Sequence, residues 1–364
     1  MQKSEIPGFL SVTGLLSLVF SAITALAFLF SGVPETAQRT LPEPAPDVSE
    51  TAPAISDFPE TQLPVKAAEE TLPRNLSGTT ETVPVPVPQT AETFPDGCHP
   101  VVTADLSGGQ TPENILFCGE TAASPDCSLL AGRHITIPAA KEAFAGGDTE
   151  SPLVLIVHTH GTESYLPEGR DYVLDVDTFN TENTEENVVA VGAVLARTLR
   201  ENGIPTIHCT VMHNRESYDT AYEKECETVL SYLSAYPSIR YVLDIHRDGL
   251  INGDGEHIRP VFGTDEGDAA QIMFVVGTNE NGANHPDWEN NLTVAAKWQK
   301  KLLSVDPRSV RPINLRKSSF NQQYTPGSLL VEVGGNANTL AEAKRSAMLL
   351  GETLAKLIYE LAEG

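Results

Sequence analysis

LVLIVHTH, Leu153 to His160, is a short unbroken apolar run ending in a pair of histidines. A strand with one wet face alternates polar and apolar residues, whereas a strand covered on both faces reads as a continuous apolar run. Leu153–His160 is therefore read as a central strand. Outward from it the pattern switches to helix. Glu185–Asn202, EENVVAVGAVLARTLREN, carries apolar residues at helical spacing and stops at Gly203, a helix C-terminal signal. IPTIHCTV then predicts a strand, and Tyr218–Tyr236 an amphipathic helix ending before Pro237. YVLDIH (Tyr241–His246), IMFVVG (Ile272–Gly277) and SLLVEVG (Ser328–Gly334) are three further buried strands. Helices are predicted over Asn291–Val305 and Thr339–Leu361, the second capped by Asn338 or Thr339. Strands spaced by helices imply crossover connections, so the class is α/β: a doubly wound, mostly parallel sheet with helices on both faces.

Towards the N-terminus the composition changes twice. Phe9–Phe30 is an uncharged run long enough for one bilayer crossing, which takes about 20 apolar residues. Its length favours an uncleaved membrane anchor (residues 1–32) over a signal peptide, whose apolar region is about 7–15 residues. Residues 33–96 hold twelve prolines and three bases against eleven acids. Such a stretch cannot bury enough apolar area to offset its chain entropy, and is read as a disordered, extended linker. The folded domain is assigned to 97–364, with 97–150 a lead-in that shows no clear pattern. The anchor predicts a single-pass protein of the cytoplasmic membrane with this domain on the extracytoplasmic side.

The whole chain of 364 residues has a net charge of −25. That disfavours nucleic acid as a partner, because a phosphate backbone is held chiefly by Lys and Arg and no basic block stands out. Five cysteines, with no CxxC pair, argue against a zinc–thiolate site. A bridge among Cys98, Cys118 and Cys127 and a set of free thiols are both compatible with the sequence.

Ligands of open α/β sheets gather beyond the carboxyl ends of the strands. There the sequence places His158, His160 and Glu163, then Asp244, His246, Arg247 and Asp248, and finally Glu332 ahead of Gly334 and Gly335. Two imidazoles and a carboxylate, His160, His246 and Glu163, are a ligand set for catalytic zinc, whose fourth position stays open for water. Glu332 is then the candidate base, since a carboxylate in an apolar strand is costly unless paired or used. Each residue also has a plainer reading: a strand histidine is commonly a hydrogen-bonded core residue, and HxxE alone is a weak signal. Glu185 and Glu186 stay open as the third ligand, and ordinary helix N-terminal charge accounts for them equally. His158 is an alternative ligand or a support for one, and Asp248 a candidate to orient His246. Arg247 is read as gripping a substrate carboxylate or as one half of a structural ion pair. Asn321 and Gln322 offer amide groups to a glycan or peptide, or to a turn. No GxSxG elbow, GxxxxGK[ST] loop or strand-linked GxGxxG is present.

The blocks HTHGTESY, NVVAVG, IHRDG, FVVGTN and NQQYTPGSLLVEVGGNANT, in that order, resemble the stage II sporulation protein P family of peptidoglycan hydrolases. The likeness runs from FCGETAASPD near Cys118 to the C-terminus and includes the N-terminal span and linker. The resemblance implies kinship with zinc-dependent N-acetylmuramoyl-L-alanine amidases, in which zinc is held by His, Glu and His and a late Glu is the base. By position this implies His160, His246 and Glu332, while the middle glutamate falls either at Glu163 or near Glu185 and Glu186. It further implies cleavage of the amide between the glycan lactyl group and the stem peptide, with crosslink endopeptidase activity besides. The setting it implies is the engulfing septum, with stage II sporulation proteins D and M as partners. The rival readings are a metallocarboxypeptidase on the same metal and a non-catalytic wall-binding scaffold.

Overall fold

The computed structural model describes residues 97–121, 130, 132–138, 151–280 and 282–363. The anchor at 9–30, the linker at 33–96, part of the 97–150 lead-in and Cys127 lie outside the described residues. Among the described residues no helix is long and apolar enough to cross a membrane. Cys98 and Cys118 are free thiols, so no bridge joins them.

In chain order the elements are β1 (Cys98–Ala104), β2 (Phe117–Gly119), β3 (Val154–Val157), β4 (Tyr172–Leu174), α1 (Val188–Glu201), β5 (Thr206–His208) and α2 (Ala221–Ala235). There follow β6 (Tyr241–Asp248), β7 (His257–Thr264), β8 (Gly267–Ala270), β9 (Ile272–Gly277), α3 (Trp288–Val305), β10 (Ile313–Arg316), a 3-10 turn (Gln322–Tyr324), β11 (Leu329–Gly335) and α4 (Leu340–Glu363). Seven strands form the main sheet in the order β2-β10-β9-β11-β6-β3-β5. All its neighbours run parallel except β9 and β11, which are antiparallel. The reversal has a local cause. After β6 the chain makes no helical crossover but passes through the β7–β8 hairpin, and only Gln271 separates β8 from β9. The sheet expected to be mostly parallel is therefore two parallel halves set head to tail. β7 and β8 belong to a second, four-stranded sheet, β4-β1-β7-β8, which the sequence reading did not contain.

Side chains alternate across each strand. Ile156, Leu243, Ile245, Phe274 and Val331 face α1, α3 and α4, where Leu195, Trp298 and Leu354 complete the larger core. Leu155, Val157, Ile207 and Val242 face the other way, onto Val229 and Leu233 of α2. Among the described residues helices do cover both faces, but unequally: three against one. On the α2 side, Asp244 and His246 follow Val242 at two-residue steps, and Glu332 follows Leu330. α4 starts with a capping box in which Glu342 N donates to Thr339 Oγ1 (3.3 Å) and Thr339 N to Glu342 Oε2 (3.0 Å).

Candidate metal centre

β3 stops at Val157, and the next residues turn. Thr159 donates from its amide (2.8 Å) and its hydroxyl (2.7 Å) to the Asp244 carboxylate, fixing the loop to β6. The amide of Glu163 then donates to His160 O (3.0 Å), closing a turn that brings both side chains to one side. Gly161 makes that turn possible, since a Cβ there would lie 2.6 Å from Met212 Cγ. Glu163 O accepts from Val188 N (2.9 Å), tying the turn to the start of α1, whose cap is the Asn187 side chain accepting from Val189 N.

His160, Glu163 and His246 converge, each offering one ligand atom within 4.8 Å of the others, and all three are buried. His160 Nδ1 is 3.7 Å from Glu163 Oε1, and His246 Nδ1 is 3.5 Å from Glu163 Oε2. The two imidazoles meet edge to face with centroids 5.1 Å apart. His246 Nε2 lies 2.7 Å from Asp244 Oδ2. Burial, with the neighbouring His246, lowers His160 to about 4. Burial opposes charge on His246 too, but Asp244 and Glu163 outweigh it and raise His246 well above its usual value. In Glu163 and Asp244 burial is likewise outweighed: His246, Arg247 and His160 lower the first, and His246 with Thr159 holds the second at about 2. Among the described residues His160 Nε2 is buried without a hydrogen-bond partner, a cost that a bound cation would remove, and His246 Nε2 makes its 2.7 Å contact with Asp244 as an ion pair and not as an aligned hydrogen bond. Two imidazoles and one carboxylate, with the remote nitrogen of one imidazole against an aspartate, fit zinc better than the oxygen-preferring cations.

Glu332 sits opposite His246 in the parallel β11–β6 pairing. Its Oε2 is shielded from solvent and has no hydrogen-bond partner among the described residues. Burial pushes its carboxyl up to about 8, with Asp248 and Glu163 adding to the effect and His246 opposing it. Beyond Glu332 the register shifts, and Gly334 takes a left-handed φ of 74°.

Other sequence candidates are placed elsewhere. Glu185 and Glu186 are exposed and outside the cluster. His158 faces α1, donating from Nδ1 to Ile245 O (3.1 Å) and meeting His208 Nε2 at 2.9 Å. Arg247 is spent on the loop: Nε donates to Ser164 O (3.1 Å), Nη2 to Phe179 O (3.0 Å) and its backbone N to Glu163 Oε2 (3.1 Å). Asp248 accepts from Arg311 (2.8 Å), so Asp244, not Asp248, backs His246. The Asn321 amide donates to Tyr222 O (2.8 Å) and to the Glu225 carboxylate. Gln322 is buried, bridging Gly277 N and Val275 O at 2.9 Å each. The amides of Asn321 and Gln322 thus hold loops together.

The sequence places Asp244 at the strand end without a role, and two tyrosines of the site do not figure in its reading. Asp244 had a readable signal, an acid two residues before a strand histidine and so on its face. Tyr218 stacks on His160 at 4.1 Å, and Tyr222 meets it edge-on at 5.5 Å. Only the tertiary placement of α2 puts them there.

The model of the stage II sporulation protein P family matches residues 113–355. Stage II sporulation protein P of Bacillus subtilis (strain 168) is 26% identical over 223 residues, a match spanning 58% of this chain and 52% of that protein. The chain thus spans about half the length of that curated relative. Similar solved structures include the apo form of an N-acetylmuramyl-L-alanine amidase from Mycobacterium abscessus, at 14% identity and a TM-score of 0.35, covering 58% of this chain and 98% of that one. An N-acetylmuramoyl-L-alanine amidase from Clostridium difficile 630 is 14% identical at a TM-score of 0.32, covering 59% and 100%.

Proposed function

Because the chain belongs to the stage II sporulation protein P family, we propose that it is a membrane-anchored, zinc-dependent peptidoglycan hydrolase acting on septal wall. The reaction is hydrolysis of the N-acetylmuramoyl-L-alanine amide, with crosslink cleavage as a second activity of the same site. The observation that carries this reading is the convergence of His160, Glu163 and His246 in one buried cluster, with Glu332 facing His246 across adjacent strands.

In this reading His160, Glu163 and His246 hold the zinc. Bound there, zinc supplies a Lewis acid that polarises the scissile carbonyl and lowers the pKa of water. Glu332, whose Oε2 has no hydrogen-bond partner among the described residues, takes the proton of the attacking water and returns it to the leaving nitrogen. Asp244 keeps His246 oriented, and the Arg247 backbone amide does the same for Glu163. A carboxypeptidase is less well supported, because Nε and Nη2 of Arg247 are already bonded to Ser164 and Phe179. The anchor at 9–30, the linker at 33–96 and partners of the stage II sporulation D and M type complete the proposal, resting on composition and family. Zinc analysis of the purified protein tests the site: about one ion per chain supports it, and protein that is fully active on wall without zinc refutes it.

A further inference from the structure

Tyr218 precedes α2 and stacks on His160 with ring planes 18° apart, yet it is 64% exposed. One face of the ring therefore rests on a site histidine and the other is open to solvent. The support beneath is stiff. Tyr222, one helical turn on, meets His160 edge-on, and Phe320 abuts Tyr222 at 5.7 Å. Asn321 clamps the same turn of α2 through Tyr222 O and Glu225. Phe320 and Asn321 both hold left-handed backbone, with φ of 50° and 54°, a strain that persists only where the surroundings impose it. Core packing does not account for a large aromatic face held rigid and wet beside a cluster of ionisable groups.

We propose that the open face of Tyr218 is the subsite for an amino-sugar ring of the wall glycan, next to the bond that is cleaved. Charge and shape select this ligand. Residues 97–364 carry 20 bases against 37 acids. A neutral N-acetylated pyranose meets no charge repulsion on a surface with that excess of acids. The pyranose also offers a flat C–H face, which gains by covering an exposed aromatic ring. The identity of the glycan as ligand rests on the hydrolase reading; the platform itself rests on the ring geometry. The hydroxyl has no role in this contact.

The test is calorimetric titration of the zinc-loaded full chain with a soluble N-acetylglucosamine tetramer, in wild type, Tyr218→Phe and Tyr218→Ala, with zinc content measured for each. Wild type and Tyr218→Phe bind alike, and Tyr218→Ala binds about tenfold more weakly with unchanged zinc, a loss in line with an aromatic contact. On wall fragments Tyr218→Ala raises KM by about the same factor and leaves kcat nearly unchanged. Equal binding by Tyr218→Ala overturns the proposal. So does weakening by Tyr218→Phe, which assigns the effect to the hydroxyl, and so does zinc loss in Tyr218→Ala, which makes the ring a prop for His160. Sugar binding that follows the ring while the wild type cleaves no wall amide supports the platform and overturns the hydrolase reading alone.

Discussion

Glu332 on β11 and His246 on β6 are register partners on adjacent parallel strands, so both side chains leave the sheet on one face, with their backbones roughly 5 Å apart. A proposed base and a proposed metal ligand are thus held by strand pairing and not by a loop. Rigid placement of this kind keeps a proton acceptor within reach of the reacting centre.

Glu332→Gln preserves shape and removes the base. Its wall-cleaving rate should fall by about 10²–10⁴-fold, the usual contribution of a positioned acid–base group. Zinc content and melting temperature should hold. A variant retaining near-wild-type turnover removes Glu332 from the chemistry.

Asp244→Asn weakens the partner of His246 Nε2, now at 2.7 Å, and one acceptor of Thr159. Loss of such a partner typically lowers metal affinity about 10–100-fold. Competition against a fluorescent chelator measures it, and unchanged affinity leaves Asp244 only the task of fixing the Thr159 loop.

Gly192→Ala removes a helix-weakening glycine, worth up to about 1 kcal/mol, but the new Cβ would lie 2.7 Å from His158 Nε2 and 2.8 Å from His208 Nε2. Overpacking costs about 1–3 kcal/mol, so the net effect should be a lower melting temperature. Stabilisation instead means the imidazole pair has room to move.

Glu225 is buried on α2, and burial, with the Asp244 carboxylate, raises its carboxyl to about 8 despite the Asn321 hydrogen bond. The folded state therefore holds this proton more tightly than the unfolded chain, with its ordinary value of 4.5. The resulting stability is complete below about pH 4.5 and is lost as pH rises through about 8. Glu225→Gln lacks that loss, so urea titrations should show the variant gaining on wild type across this window. Parallel pH profiles for the two proteins would falsify the assignment.

The central strands β3, β6 and β11 were legible because burial on both faces leaves continuous apolar runs. The second sheet was not: β8 is GDAA, without β-forming residues, and β4 has three residues. The head-to-tail join of β9 and β11 also escaped, since a strand's sequence does not record its direction. At the site, His160, Glu163 and His246 stood out as polar groups ending apolar runs. Asn321 and Gln322 show the limit of that signal. Amides ahead of a strand look the same in sequence whether they face a ligand or, as here, bind Glu225, Gly277 and Val275. The exposed side chains of Glu185 and Glu186 likewise needed coordinates to separate them from Glu163.

Mass analysis of the products from purified peptidoglycan tests the central claim most directly. The full chain with zinc should release peptides with a new N-terminal alanine and leave intact lactyl-glycan, and Glu332→Gln should release neither. Unchanged wall after incubation with the wild type, or equal release by Glu332→Gln, contradicts a hydrolase built on His160, Glu163, His246 and Glu332.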